Sequence, residues 1–284
     1  MDRSQYFLVP DGRLRAGWRL LLFVVFFLML VMVFDSVAFA FLRQLAGASQ
    51  MTVLGVVSVS HLATVSAATW LMLHLIEHQP FQAVGLARPR ESLGEVALGM
   101  AGGITLVGTV TVVEWAVGSI HFQSSGTSAA STLISLPVIT GVMALAITWE
   151  ELAFRGYPFQ RLVEGTNPVI AVLISSLIFG GLHAANPYAT LLSTVNTMLA
   201  GVLLSIAYLK TRALWLPLGF HFSWNWTLAF VGLPVSGMEV IKMPWQAVPS
   251  PDHIWLHGGS YGPEGGLVAT VVLVAGCIYL IQKK

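Results

Sequence analysis

The chain has 284 residues, 56% hydrophobic and 10% charged, with a formal net charge of +1 and a mean hydropathy of +0.77. Soluble domains carry about a quarter charged residues, so this composition predicts a polytopic membrane protein, and the absence of a basic tract excludes a nucleic-acid partner. A single cysteine, Cys277, leaves no intrachain disulfide and no cysteine-built metal site.

Apolar windows of the roughly 20 residues that cross a bilayer fall at 20–42, 52–76, 94–117, 133–154, 168–184, 189–209, 213–232 and 266–281. They predict an all-α membrane helix bundle of eight spans, or seven, because Pro168, Pro187 and Pro217 blur the later boundaries. The first run follows basic residues, and Ala38-Phe39-Ala40 looks like a signal-peptide cleavage site. The run is too long for a typical signal core, so a retained helix is expected. Cys277, in the last run, reads as a buried or lipid-facing thiol. One integral membrane domain is expected, with N-terminal spans over 1–130, a helical core over 131–232, and an extracytoplasmic loop plus a C-terminal span over 233–284. The loop, about 232–265, is rich in Gly and Pro; His253 and His257 fall in it and read as loop residues, with no helix expected there.

Eight spans with a cytoplasmic N-terminus put Arg3, Arg13, Arg15, Arg19, Arg88, Arg90, Arg155, Arg161, Lys210, Arg212, Lys283 and Lys284 on the cytoplasmic side. Only Arg43 and Lys242 fall outside, a division of twelve to two that satisfies the positive-inside rule. Both termini are therefore expected in the cytoplasm, with Glu150 and Glu151 near the cytoplasmic end of their helix.

No Asp, Glu, Lys or Arg lies between Glu114 and Glu150, and then two carboxylates arrive together. An ionisable group at membrane depth costs about 2.5–3.5 kcal/mol on insertion scales and tends to mark function. Glu151 and Arg155 are four apart, acid before base, and can pair on one helix face. Glu150 is rotated about 100° away and is free to act as a general base. Taken alone, the segment also fits a structural ion-pair network. Phe179 and His183 are one turn apart, and Gly180 and Gly181 between them would let a neighbouring helix approach closely. His221 and Asn225 again place two polar groups one turn apart, an imidazole that titrates near neutrality and an amide that can hold an oxyanion. In isolation His183 fits a core histidine, and His221 with Asn225 a helix–helix hydrogen bond. Their occurrence on three successive predicted spans weakens three separate structural explanations.

The chemistry suggested is amide hydrolysis by activated water. No GxSxG or HExxH motif is present and Asp is absent from the polar helices. A metal site of two histidines and one carboxylate, Glu150, His183 and His221, stays open on residue type.

Glu150-Glu151-Leu152-Ala153-Phe154-Arg155, Phe179-Gly180-Gly181-Leu182-His183 and His221-Phe222-Ser223-Trp224-Asn225 resemble, in order, the EExxxR, FxxxH and HxxxN signatures of the CPBP family. This family comprises the CAAX proteases and bacteriocin-processing enzymes, also called Abi, and includes the type II CAAX prenyl endopeptidases. The matching region runs from about 139 to 230. The resemblance implies an intramembrane glutamate protease that opens toward the cytoplasm, in a bacterial cytoplasmic membrane, acting on a membrane-associated, CAAX-like or lipidated peptide or protein. It implies catalytic roles for Glu150 and His183, which would activate water, and for His221 and Asn225, which would stabilise the oxyanion. Glu151, Arg155 and Phe179 would support them. No cofactor is expected; if a metal were present, Glu150, His183 and His221 would hold it. A noncatalytic scaffold or immunity protein of the same fold is the alternative, and proton-coupled transport a third reading.

Overall fold

The computed structural model describes residues 6–10, 12–45, 47–87 and 89–283. Arg3, Arg88 and Lys284, three of the residues in the charge asymmetry, lie outside the described residues. In chain order the elements are α1 (Ala16–Gln44), α2 (Gln50–Leu71, continued by a π-helical turn, Met72–Glu77), α3 (Pro89–Ala116), β1 (Ile120–Ser124), α4 (Ala129–Arg155), α5 (Tyr157–Gly165) and α6 (Pro168–His183). Then follow α7 (Leu191–Thr211), α8 (Trp215–Val231), β2 (Trp245–Pro249), α9 (Ile254–His257) and α10 (Leu267–Gln282). Among the described residues five helical runs are long and apolar enough to cross a membrane, with α4 and α5 counted as one run, Ala129–Gly165. The shorter apolar helices α6 and α10, together with α8, complete the helical membrane bundle. α1 runs unbroken through Ala38–Ala40.

Two of the three prolines that blur the sequence boundaries, Pro168 and Pro217, act as start signals. Asn167 Oδ1 accepts from Ile170 N at 3.0 Å, and Pro168 takes the first helical position, where a missing N–H leaves nothing unpaired. Pro217 lies in the first turn of α8 for the same reason. At α7, Thr190 Oγ1 accepts from Ser193 N at 3.1 Å while Ser193 Oγ accepts from Thr190 N at 2.7 Å, a reciprocal capping box.

One apolar core joins α3, α4, α7, α8 and α10 through residues such as Val107, Ile147, Leu203, Phe220 and Leu273. A second joins α1, α2 and α5 through Phe23, Met72, Tyr157 and Phe159. The close approach of α6 to α7 depends on Gly180, where a Cβ would stand 2.4 Å from Met198 Cγ and 2.9 Å from the Thr194 carbonyl. Gly181 meets nothing within 4 Å, so only the first of the two expected glycines serves a helix contact.

α5 departs from expectation. Its polar face carries Arg161, whose Nη1 lies 3.1 Å from Glu77 and 2.9 Å from Glu164. Arg19 also pairs with Glu77, at 3.0 Å, and with Glu164. This network ties α1, α2 and α5 at one end of the bundle. Glu150 lies five residues from the end of α4, but α5 carries the run on to Gly165, so Glu150 sits 15 residues from its end. Trp149 meets His61, twelfth of the 28 residues from Gln50 to Glu77, at 4.8 Å between ring centroids. Arg155 is fully buried inside the protein.

The segment after α8 is ordered. β2 pairs antiparallel with β1 from Ile120↔Pro249 to Ser124↔Trp245. Asn196 Nδ2 of α7 donates at 2.8 Å to the carbonyls of both Glu264 and Gly266. His257 closes the single turn of α9, contrary to the expectation of a plain loop residue. It is buried, its Nε2 donates to the Ser250 carbonyl at 2.9 Å and its Nδ1 accepts from Gly259 N at 3.1 Å. Short polar turns with little periodicity satisfy each other here, a pattern that hydropathy does not register.

Candidate active site

The four candidate residues come together around one cavity of about 170 Å³. Its apolar side is formed by Met143, Ile147, Leu203 and Phe220, and its polar side includes Glu150, His183, His221 and Asn225.

Glu151 and Arg155, both 0% exposed, form the foundation. Arg155 Nη1 donates to Glu151 Oε1 at 3.0 Å, and Nη2 donates to the Gly201 carbonyl of α7 at 3.2 Å. The guanidinium lies 4.6 Å from the centroid of the Phe179 ring, within cation–π range. The same Glu151 Oε1 lies 2.8 Å from His221 Nδ1. A carboxylate held as an anion by a guanidinium can only accept, so Nδ1 is the donor, and the other ring nitrogen, Nε2, stands 3.8 Å from Glu150 Oε2.

His183 is oriented in the same manner from its own helix. Its Nδ1 lies 2.8 Å from the Phe179 carbonyl one turn earlier; a carbonyl accepts, so Nδ1 donates and Nε2 is the ring nitrogen left to face Glu150. That nitrogen is 4.0 Å from Glu150 Oε2. The Phe179 ring packs 4.5 Å from the ring of His183 and 6.0 Å from that of His221, wedging the two imidazoles in place. Glu150 Oε2 receives no hydrogen bond from the described residues. A gap of 4.0 Å is too long for a direct hydrogen bond but suits one water oxygen at about 2.8 Å from each partner. Asn225, one turn beyond His221, lines the same cavity.

Among the described residues no group of three or more His, Cys, Asp or Glu is arranged to hold a metal ion. Glu150, His183 and His221 have carboxylate–imidazole separations of 3.8 and 4.0 Å, whereas two ligands about 2.0–2.1 Å from a tetrahedral zinc stand roughly 3.4 Å apart.

Two features escape the motif reading. The far side of the cavity is built by Asn186, Trp224, Ser236 and Glu264, three of them outside the predicted spans, where nothing periodic draws attention to them. Behind Trp149, His61 Nε2 lies 3.5 Å from Asp35 Oδ2, and Ser60 Oγ donates to Asp35 Oδ1 at 2.7 Å. An acid inside the first apolar run and a histidine inside the second are readable as membrane-depth polar residues in their own right.

Residues 131–227, about a third of the chain, match the family model described as Type II CAAX prenyl endopeptidase Rce1-like. Among curated proteins the chain is similar to "Putative membrane peptidase YdiL" of Bacillus subtilis (strain 168), 31% identical over 115 residues, which are 40% of this chain and 45% of that protein. It is also similar to "Uncharacterized protein YyaK" of the same organism, 23% identical over 156 residues, 54% of this chain and 52% of that protein. The chain spans about half the length of these curated relatives. No solved structure matches it.

Proposed function

We propose that this chain is an intramembrane endopeptidase of the CPBP family, a reading that the match of residues 131–227 to the Rce1-like family model supports, and that it hydrolyses a peptide bond of a membrane-associated peptide or protein with activated water. The observation that carries this reading is the convergence of Glu150 Oε2 with the Nε2 atoms of His221, at 3.8 Å, and His183, at 4.0 Å, on a cavity that Asn225 also lines.

In this mechanism a water held between Glu150 and His183 loses a proton to Glu150 as its oxygen adds to the carbonyl carbon. The oxyanion accepts from the Asn225 amide and from Nε2–H of a protonated His221, whose positive charge Glu151 balances from the opposite side of the ring. Collapse breaks the C–N bond, and the proton on Glu150 passes to the leaving amine, so one water is consumed and an acid and an amine are released. General base catalysis contributes about 10²–10⁴-fold, so Glu150→Gln should abolish cleavage at ordinary enzyme levels while leaving the fold intact. Profiling peptide termini in membranes from cells carrying the native protein or Glu150→Gln tests this. New termini specific to the native protein are expected. Identical profiles at equal abundance would overturn the reading in favour of a noncatalytic scaffold.

A further inference from the structure

We infer that Glu264 selects a basic side chain in the polypeptide segment that occupies the cavity, an inference that rests on the cavity being the peptide-hydrolysing site proposed above. Glu264 comes from the turn just before α10 and lines the cavity together with Trp224 and Asn225. Its Oε1 accepts from Trp224 Nε1 at 3.0 Å. Its Oε2 accepts from Ser236 N at 2.5 Å and Ser236 Oγ at 3.0 Å. A carboxylate offers about four lone-pair positions over its two oxygens. Oε2 uses two and Oε1 uses one, so one acceptor position remains on Oε1. All three donors are neutral. They fix the orientation of the carboxylate without cancelling its charge.

The balance of charge around the cavity points the same way. Glu151 and Arg155 neutralise each other behind the wall. On the wall stand Glu150 and Glu264, and no described lining residue is Lys or Arg. Of the two carboxylates, Glu150 is the one that the imidazole of His221 faces, at 3.8 Å, which leaves Glu264 as the carboxylate with no cation across the described lining. The free carboxylate of a chain end would meet a like charge at Glu264. A Lys or Arg side chain brings the missing cation and the donor that Oε1 can accept. Glu264 lines the same cavity as Glu150 and Asn225, so the basic residue belongs to the segment that fills that cavity. The substrate class is then an internal segment of a membrane-inserted polypeptide that carries Lys or Arg.

The test uses purified full-length protein in phosphatidylcholine vesicles and a set of Leu/Ala membrane-spanning peptides that differ at one residue, Lys, Gln or Glu, moved through successive positions. Binding is read in the Glu150→Gln background and cleavage with the native protein. At one or two positions the Lys peptide should bind about 10- to 100-fold tighter than the Gln peptide, the range of one charge-assisted hydrogen bond, and the Glu peptide should bind weakest. Adding Glu264→Gln should bring the Lys-to-Gln ratio toward one, whereas a merely structural role would weaken all three peptides alike, keep the ratio and overturn the inference. If Glu264→Gln does not fold, acetyl-lysine in the peptide removes the charge from the other side, and a preference that survives acetylation overturns the inference. Equal binding of the three peptides, or binding of none, also overturns it. A charge order in binding without cleavage of any peptide would uphold the selectivity and refute the protease reading; cleavage without a charge order would do the reverse.

Discussion

Replacing Glu151 with Gln keeps the size of the side chain but removes one charge from a pair whose partners are both 0% exposed. Arg155 then stays behind as an uncompensated cation, and His221 Nδ1 loses the charged acceptor now 2.8 Å away. Removing one partner of a buried ion pair costs about 3–5 kcal/mol. The two bonds share Glu151 Oε1, so their separate costs do not simply add. By soluble-domain scaling this corresponds to a fall in Tm on the order of 10 °C, measurable as thermal unfolding in detergent followed by the fluorescence of the nine tryptophans. The double variant Glu151→Gln/Arg155→Met removes both charges and should recover most of the lost stability, since neutral replacements of a buried pair are often close to neutral in free energy. It should not recover proteolysis, because His221 still lacks its carboxylate. A single variant that melts within about 2 °C of the native protein, or a double variant no more stable than the single one, would refute the assignment of Glu151 as the anion shared by Arg155 and His221.

Asn225→Ala should lower kcat by about 10²–10³-fold with KM and Tm little changed, as for an oxyanion donor; steady-state kinetics on a cleaved peptide decides, and a pure rise in KM contradicts the role. Gly180→Val, which drives a side chain into Met198 and the Thr194 carbonyl, should destabilise the protein by about 1–3 kcal/mol or more. Gly181→Ala, with nothing within 4 Å of the new Cβ, should leave the melting temperature nearly unchanged, so equal effects at the two glycines would refute the described α6–α7 contact. Cleavage by the purified protein should persist in excess EDTA, and loss of activity that Zn²⁺ restores would instead assign Glu150, His183 and His221 as metal ligands.

The polar positions of the site are legible in the sequence because helical spacing is local. Glu151 with Arg155, Phe179 with His183, and His221 with Asn225 are each four apart, and each set points to one face of its helix. The approach of those faces to one cavity is not local. It depends on Gly180 at the α6–α7 contact and on the Gly201 carbonyl that Arg155 reaches. Arg155 counts as a cytoplasmic cation by its position in the sequence, and in the structure its guanidinium is paired with Glu151 inside the protein. Beyond the helix end at Arg155, α5 packs its own charged residue, Arg161, into a network with Glu77 and Arg19 that sequence spacing does not reveal. Residues 232–265 are opaque because their order rests on pairings between distant partners, β1 with β2 and Asn196 with the carbonyls of Glu264 and Gly266. Spans set by hydropathy carry no information about such pairings.

The anchoring of that segment by Asn196 bears on the order in which the protein comes into being. Synthesis delivers Glu150, His183, His221 and Asn225 before the residues that finish the chamber, and Glu264 emerges 39 residues after Asn225. Asn196 can grip the Glu264 and Gly266 carbonyls only when the start of α10 has arrived, and Lys210 waits for the Leu280 carbonyl at the far end of the same helix, 2.8 Å away in the finished protein. A nascent chain halted after Val231 therefore holds every signature residue and still lacks the far wall of its chamber. Maturation of the site is coupled to insertion of the last helix.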